Sequence, residues 1–228
     1  MVTILQLETA TQVCSAALSV NGETIALKEL AAQNIHAGSL TLFIQAVMEK
    51  AGLSFADLDA IAVSKGPGSY TGLRIGVSTA KGLCFALDKP LIGVDTLKMM
   101  TKGYLQTDEN YTGLVCPMID ARRMEVFTGL YDSRLAEVLA VEAKIIDETS
   151  FQEQLSDQLI TFIGDGAMKC SETILSPNAR FSDLNFNSAT HMSQLAFEAF
   201  KTNDFENVAY FEPYYLKDFV ITQAKKKV

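Results

Sequence analysis

The chain has 228 residues, 48% hydrophobic and 20% charged, which excludes disordered and fibrous classes and is enough for one large domain or two small lobes with a sizeable core. Its formal net charge is -8 and its sequence pI about 4.8. A protein that grips nucleic acid by itself carries a basic face, so this chain is a poor candidate for the subunit that holds RNA. No apolar run approaches the roughly 20 residues of a membrane helix. MVTILQLETA has neither a basic n-region nor a small-residue cleavage site and reads as a first strand rather than a signal peptide, while four cysteines without C-x-x-C spacing point to a reducing, cytoplasmic compartment.

In chain order, residues 2–7, 14–20 and 24–30 read as strands. Asn21-Gly22 joins the second and third as a type I′ hairpin, since both residue types accept positive φ. An apolar helical pattern runs from 36 to 51 and stops at Gly52. Ser54 and Asp57 have capping-box spacing. Strand 60–64, a glycine-rich loop at 65–72, a helix at 71–87, strand 91–94 and a helix at 96–105 complete a β-β-β-α-β-α-β-α order. That order predicts a mixed sheet covered by helices.

The polar stretch QTDENYTG (106–113) is the candidate boundary between an N-terminal lobe, 1–105, and a C-terminal lobe, 106–228, whose last segment is a candidate to pack back on the first. Beyond it, strands are expected at 114–119, 124–131, 137–146 and 159–164, with helices at 148–156, 167–175 and 189–201. The partly repeated order predicts two related lobes.

Several segments carry candidate chemistry. Lys65 to Arg74 (KGPGSYTGLR) lies after a strand and opens a helix, where free N–H groups at the positive end of the dipole can seat an anion; a tight turn without a ligand is the alternative. In the helix that follows, Gly72, Gly76 and Ala80 share one face, and Gly82 adds a further interior glycine. Each such glycine costs about 1 kcal/mol relative to alanine, so some backbone must approach closely, from a helix of the same chain or from a partner. The 36–51 helix is apolar nearly all round: Leu40, Phe43, Ile44, Val47 and Ala51 form one stripe, and Leu42, Ala46 and Met48 extend it.

Glu8, at the end of the first strand, either holds a metal-bound phosphate or caps a turn. Gly164-Asp165-Gly166 either flanks an adenosine or is a bare turn. Asp120 to Glu125 (DARRME) is either a solvated tip or a charged cluster facing an interlobe cleft. Cys14, Cys84, Cys116 and Cys170 show no C-x-x-C spacing and read as reduced thiols. With only His36 and His191 available, neither a zinc site nor a Ser-His-Asp arrangement is supported. Lys225, Lys226 and Lys227 read as a solvated tail.

Taken together, ILQLETAT (4–11), KGPGSYTGLRIGVSTAKGL (65–83), PLIGVDTL (90–97), IDARRMEVF (119–127), GDGA (164–167) and EPYYLKD (212–218) resemble the bacterial threonylcarbamoyladenosine biosynthesis family TsaB, also called YeaZ. The resemblance implies an α/β actin/sugar-kinase-like fold of two ribonuclease-H-like lobes. It implies a non-catalytic scaffold that pairs with a TsaD paralogue, works with the ATPase TsaE and meets tRNA indirectly, in modifying the adenosine beside the anticodon. It places no catalytic residue, metal or hydrolysed ATP on this chain.

The paralogue's two metal-binding histidines map to Thr96 and Met100. The family's Asp at the end of the first strand is Glu8 here. The loops leave Glu8, Gly66, Gly68, Ser69, Gly164 and Gly166 as nucleotide-site candidates. A heterodimer built from the first two helices of each partner makes Leu40, Phe43, Val47, Gly72, Gly76 and Ala80 interface candidates, and the same surface would serve a homodimer when the partner is missing. Two other readings on this fold stay open, an ATP-dependent phosphotransferase and an inactive glycoprotease-like peptidase.

Overall fold

A computed structural model of the chain describes residues 1–32 and 36–217. The Lys225 to Lys227 tail and Asp218 lie outside the described residues. The first lobe opens with β1 (Thr3–Glu8), β2 (Val13–Val20) and β3 (Glu23–Ala31) as an antiparallel meander. Asn21 and Gly22 take φ of 50° and 86°, the double positive φ of a type I′ turn. Helix α1 (His36–Ala51) ends at Gly52, whose φ of 66° favours glycine. The Asp57 carboxylate then accepts from Ser54 N–H and Oγ, closing the expected box around one 3-10 turn.

Strand β4 (Ala60–Gly66) pairs parallel to β1, and α2 (Tyr70–Leu87), β5 (Leu91–Asp95) and α3 (Thr96–Leu105) follow. The sheet order is β3-β2-β1-β4-β5. The second lobe repeats it with β6 (Leu114–Asp120), β7 (Glu125–Tyr131), β8 (Glu137–Ile145), β9 (Ile160–Ile163) and β10 (Ala179–Phe181), ordered β8-β7-β6-β9-β10 with the same parallel and antiparallel pairings.

Period-two alternation sorts the sheet side chains onto two faces. Leu5, Leu7, Ile61 and Val63 meet Leu40, Phe43, Val47, Val77 and Ala80 of α1 and α2. Ile4, Ala62 and Ile92 face the other way, into a layer with Met99 and Met100 of α3, Ile119 and Ile163 of the second sheet, and Met192 and Ala196. This layer joins the lobes. A third cluster around Phe162, Met118, Leu130 and Phe151 fills the far side of the second sheet.

The second half departs from the sequence reading in several places. The helix expected at 167–175 is one 3-10 turn, Met168–Cys170, followed by further i→i+3 bonds and then by Pro177. Helix α4 spans only Gln152–Asp157, because Asp147 ties back Thr149 and Ser150 and Phe151 turns to φ 61°. The 189–201 segment is a 3-10 turn, Ala189–Met192, leading into α5 (Ser193–Lys201). Strand β10 carried no recognised pattern.

From Phe186 the chain re-enters the first lobe. Helix α5 packs on β1 and β5, and Glu206 N–H donates to Leu91 O along the β5 edge. The strap beyond it crosses α2, where Lys81 Nζ donates to Phe211 O at 2.8 Å.

Candidate functional site

The turn after β1 is held from below by a carboxyl without access to water. Glu8 is 0% exposed, its Oε1 accepts Ala10 N–H at 2.5 Å, and its Oε2 has no partner among the described residues. Burial pushes its pKa up to about 7, against the opposing pull of Ala10 N–H, the Ser64 hydroxyl and Thr9 N–H. Ser64 Oγ lies beside the carboxyl but makes no hydrogen bond of ordinary geometry among the described residues. Glu8 does not line the cleft between the lobes.

The glycine-rich loop after β4 is filled by its own chain. A Cβ on Gly66, whose φ is 117°, would lie 2.5 Å from Tyr214 O, and one on Gly68 would lie 2.4 Å from Ala10 O. Ser69 N–H donates to Ala10 O at 2.6 Å, and Ser69 Oγ caps α2 by accepting Gly72 N–H at 3.2 Å. In the second lobe, Gly164 at φ 95° admits Met118 O and the Met100 methyl, and Gly166 backs onto the Asp120 amide. Asp165 Oδ1 accepts that amide at 3.0 Å, and burial raises its pKa.

The close approaches that these glycines permit are therefore made by protein backbone and side chains. Glu8, sealed beneath the turn, does not present its carboxylate to a metal-bound phosphate, whereas Gly68 and Ser69 line the cleft between the lobes. No group of three or more His, Cys, Asp or Glu placed to hold a metal occurs among the described residues.

The interface candidates need correction. Leu40, Phe43, Val47, Gly72, Gly76 and Ala80 are all buried within the isolated chain. The small-residue face of α2 receives the β1–β2 turn: a Cβ on Gly72 would lie 2.0 Å from Thr9 O, and one on Gly76 2.3 Å from Thr9 Oγ1, which itself donates to Gly72 O. The backbone predicted to approach this helix is that of Thr9, not a partner's helix. The outward face holds different residues. Phe85 is 87% exposed on α2 and Leu42 60% exposed on α1. On the same two helices, a Cβ added at Gly38 or Gly82 would meet nothing within 4 Å among the described residues. Phe85 was legible in the sequence, since it sits nine positions past Gly76 and so roughly opposite it at about 100° per residue.

Between the lobes lies an open cleft of about 1650 Å³. Its walls are Ile75, Tyr70 and the 68–72 loop on one side and Ile119, Phe127, Ile145 and the β6–β7 hairpin on the other. The charges of that hairpin face the cleft. Asp120 pairs with Lys169, and Glu125 pairs with Lys217 of the strap at 2.5 Å. Tyr215 of the strap packs against Tyr70 with centroids 4.8 Å apart and the rings tilted by 35°, and Arg74 stands over Tyr70 at 4.9 Å. Thr96 and Met100 are fully buried, and the Thr96 hydroxyl has no partner among the described residues. Neither residue supplies a nitrogen ligand.

Comparison with known proteins matches residues 29–225 to the family model described as TsaD, tRNA N6-adenosine threonylcarbamoyltransferase. The chain is 31% identical to the tRNA threonylcarbamoyladenosine biosynthesis protein TsaB of Escherichia coli, over 95% of each. The solved YeaZ from Pseudomonas aeruginosa superposes with a TM-score of 0.80 at 26% identity, covering 95% of this chain and all of that one. The activator of the 2-hydroxyisocaproyl-CoA dehydratase from Clostridium difficile shares the fold at TM-score 0.51 and 9% identity, covering 89% of this chain and 96% of that one. Together with the duplicated sheets, these place the architecture among actin/sugar-kinase-like proteins.

Proposed function

The chain belongs to the TsaB (YeaZ) family, and from that premise we propose that it serves tRNA threonylcarbamoyladenosine biosynthesis as a docking subunit without chemistry of its own. It pairs with a TsaD-type threonylcarbamoyltransferase, works with the ATPase TsaE and reaches tRNA through that assembly in the cytoplasm. The complex uses ATP, and this chain does not hydrolyse it. No helix of the described residues is long and apolar enough to cross a membrane.

The observation that carries the reading is Phe85, 87% exposed on α2 one turn beyond the unfilled Gly82; Gly38 on α1 is likewise unfilled. A phenylalanine held in water gains roughly 2 kcal/mol when covered, and interior glycines without internal neighbours leave room for another backbone. Support for a scaffold comes from Glu8 sealed in the protein, from loop glycines occupied by Ala10 and Tyr214, and from Thr96 and Met100 where the paralogue carries metal ligands. In the absence of the transferase, the same face would serve a two-fold homodimer.

The test is co-expression with the TsaD homologue of the same organism. Wild type should co-elute with it and restore modified adenosine, read by mass spectrometry, in cells depleted of the resident subunit. Phe85→Glu should lose both while keeping its melting temperature. Full-strength co-elution of Phe85→Glu would place the docking surface elsewhere. ATP turnover by the purified chain alone would favour a phosphotransferase.

A further inference from the structure

The carboxyl beneath the β1–β2 turn has no partner for its charge. Glu8 and Ser64 are both 0% exposed, and Glu8 Oε2 and Ser64 Oγ both lack a hydrogen-bond partner among the described residues. The elements around the carboxyl bring it no cation. From β2 it faces the Cys14 thiol, which burial and the nearby carboxylate push up to about 11. From β4 it faces the Ser64 hydroxyl, and the charge of the next residue, Lys65, acts on Asp95 instead. The Asp95 carboxylate at the end of β5 accepts the Leu97 and Lys98 amides. Helix α2 meets the turn with Gly72 and Gly76, while its Arg74 stands over Tyr70. Helix α1 presents His36, whose Nε2 donates to Thr11 O at 2.7 Å.

Ser64 suits either protonation state, since a hydroxyl accepts from a neutral acid and donates to an ionised one. The ionised state nevertheless leaves a desolvated charge without a counter-charge. Water relieves such a charge, and the turn stands in its way.

That turn is also the wedge between the two docking helices. Thr9 Oγ1 donates to Gly72 O at 2.8 Å and faces Gly76. Ala10 O accepts Ser69 N–H at 2.6 Å, at the cap of α2, while Ala10 N–H donates to Glu8 Oε1. Thr11 O receives His36 at the start of α1, two residues before the unfilled Gly38. One short segment thus joins the carboxyl to the N-terminal parts of both helices.

We propose that Glu8 is a proton-operated latch on the docking face. With the proton on, the turn stays wedged and α1 and α2 hold the geometry that the partner meets. With the proton off, the turn lifts to admit water and pairing weakens. The latch rests on the docking reading above. The folded midpoint of about 7 lies above the ordinary 4.5, so the wedged state is favoured at lower pH and loses as pH rises through 7.

The test titrates the full chain with the TsaD homologue of the same organism from about pH 6 to about pH 8, as wild type, Glu8→Gln and His36→Gln. Wild type should bind about tenfold more weakly at the upper end, since each pH unit above the midpoint costs a protonated state about a factor of ten. Glu8→Gln, neutral and of the same shape, should match wild type at the lower end and keep that affinity throughout. His36→Gln should retain the wild-type pH dependence. Groups of the transferase that titrate affect all three proteins alike and drop out of the difference.

Parallel curves for wild type and Glu8→Gln overturn the proposal. So does uniformly weaker pairing by Glu8→Gln, which makes Glu8 a structural residue, and so does a flat curve for His36→Gln, which assigns the proton to His36. Absence of pairing at every pH is the failure of the docking reading alone. The latch is then read in the free chain by hydrogen exchange. Relative to Glu8→Gln, exchange at the Ser69 and Gly72 amides of wild type should rise about tenfold over the same range. Equal exchange in the two proteins overturns the latch.

Discussion

The two lobes share a strand order but use their loop ends in opposite ways. In the first, the turn after β1 and the loop after β4 press into one another: Ala10 O takes Ser69 N–H, and Thr9 lies in the groove left by Gly72 and Gly76. In the second, the equivalent hairpin after β6 and the turn after β9 touch through the Asp120 amide and Asp165, and the hairpin holds Arg122 and Arg123 in open space. The difference shows how one strand order can close one loop end with its own backbone and leave the other end open. Glycine admits a close approach, and here the backbone of Thr9 and Ala10 occupies it.

Substituting the filled side tests this contrast most severely. Gly72→Leu should cost about 3 kcal/mol or more in urea unfolding, because its Cβ has the Thr9 carbonyl in its place at 2.0 Å. Near-normal stability would mean that the turn is not packed as described. Pairing would also fail in this variant, as a consequence of unfolding rather than a lost contact.

Glu8 gives an effect of similar size that depends on pH. Its folded pKa, about 7, lies above the ordinary 4.5, so its favourable contribution is present below 4.5 and is lost as pH rises through 7. Glu8→Gln abolishes that titration. Wild type should therefore lose roughly 3 kcal/mol relative to Glu8→Gln across that window. Parallel stability curves for the two proteins would show that the buried carboxyl does not titrate with folding.

The unfilled helix face calls for a smaller change of opposite sign. Gly82→Ala should stabilise the free chain by up to about 1 kcal/mol, since nothing among the described residues lies within 4 Å of the new methyl group. Gly82→Leu should leave the free chain folded yet weaken co-elution with the transferase. A thermal melt and a gel-filtration run separate the two outcomes.

The strap gives the smallest effect. Lys217 and Glu125 are 49% and 21% exposed, so Lys217→Ala should change global stability by less than about 1 kcal/mol. Its readout is local: hydrogen exchange in the β6–β7 hairpin should speed up. Unchanged exchange there would mean that the strap does not steady the cleft.

Elements with strong local punctuation were legible in the sequence. Helix α1 ends just before Gly52, the turn after it closes on the Ser54–Asp57 box, and the β2–β3 hairpin turns at Asn21-Gly22. Where punctuation was weak, as at 167–175, apolar spacing suggested a helix and the chain made a 3-10 turn. The small-residue face of α2 was legible as a face that something must approach, but not what approaches it.

The sequence by itself determined the class of fold, the duplicated strand order and the glycines that demand a close neighbour, because these rest on periodicity and on residues with distinctive backbone freedom. Tertiary structure alone decided that Thr9 and Ala10 fill the first-lobe loop, that Phe85 is left outside, and that a strap from beyond Phe186 returns to pack Tyr215 against Tyr70. These contacts join residues far apart along the chain, and no local pattern encodes which distant backbone reaches a given groove.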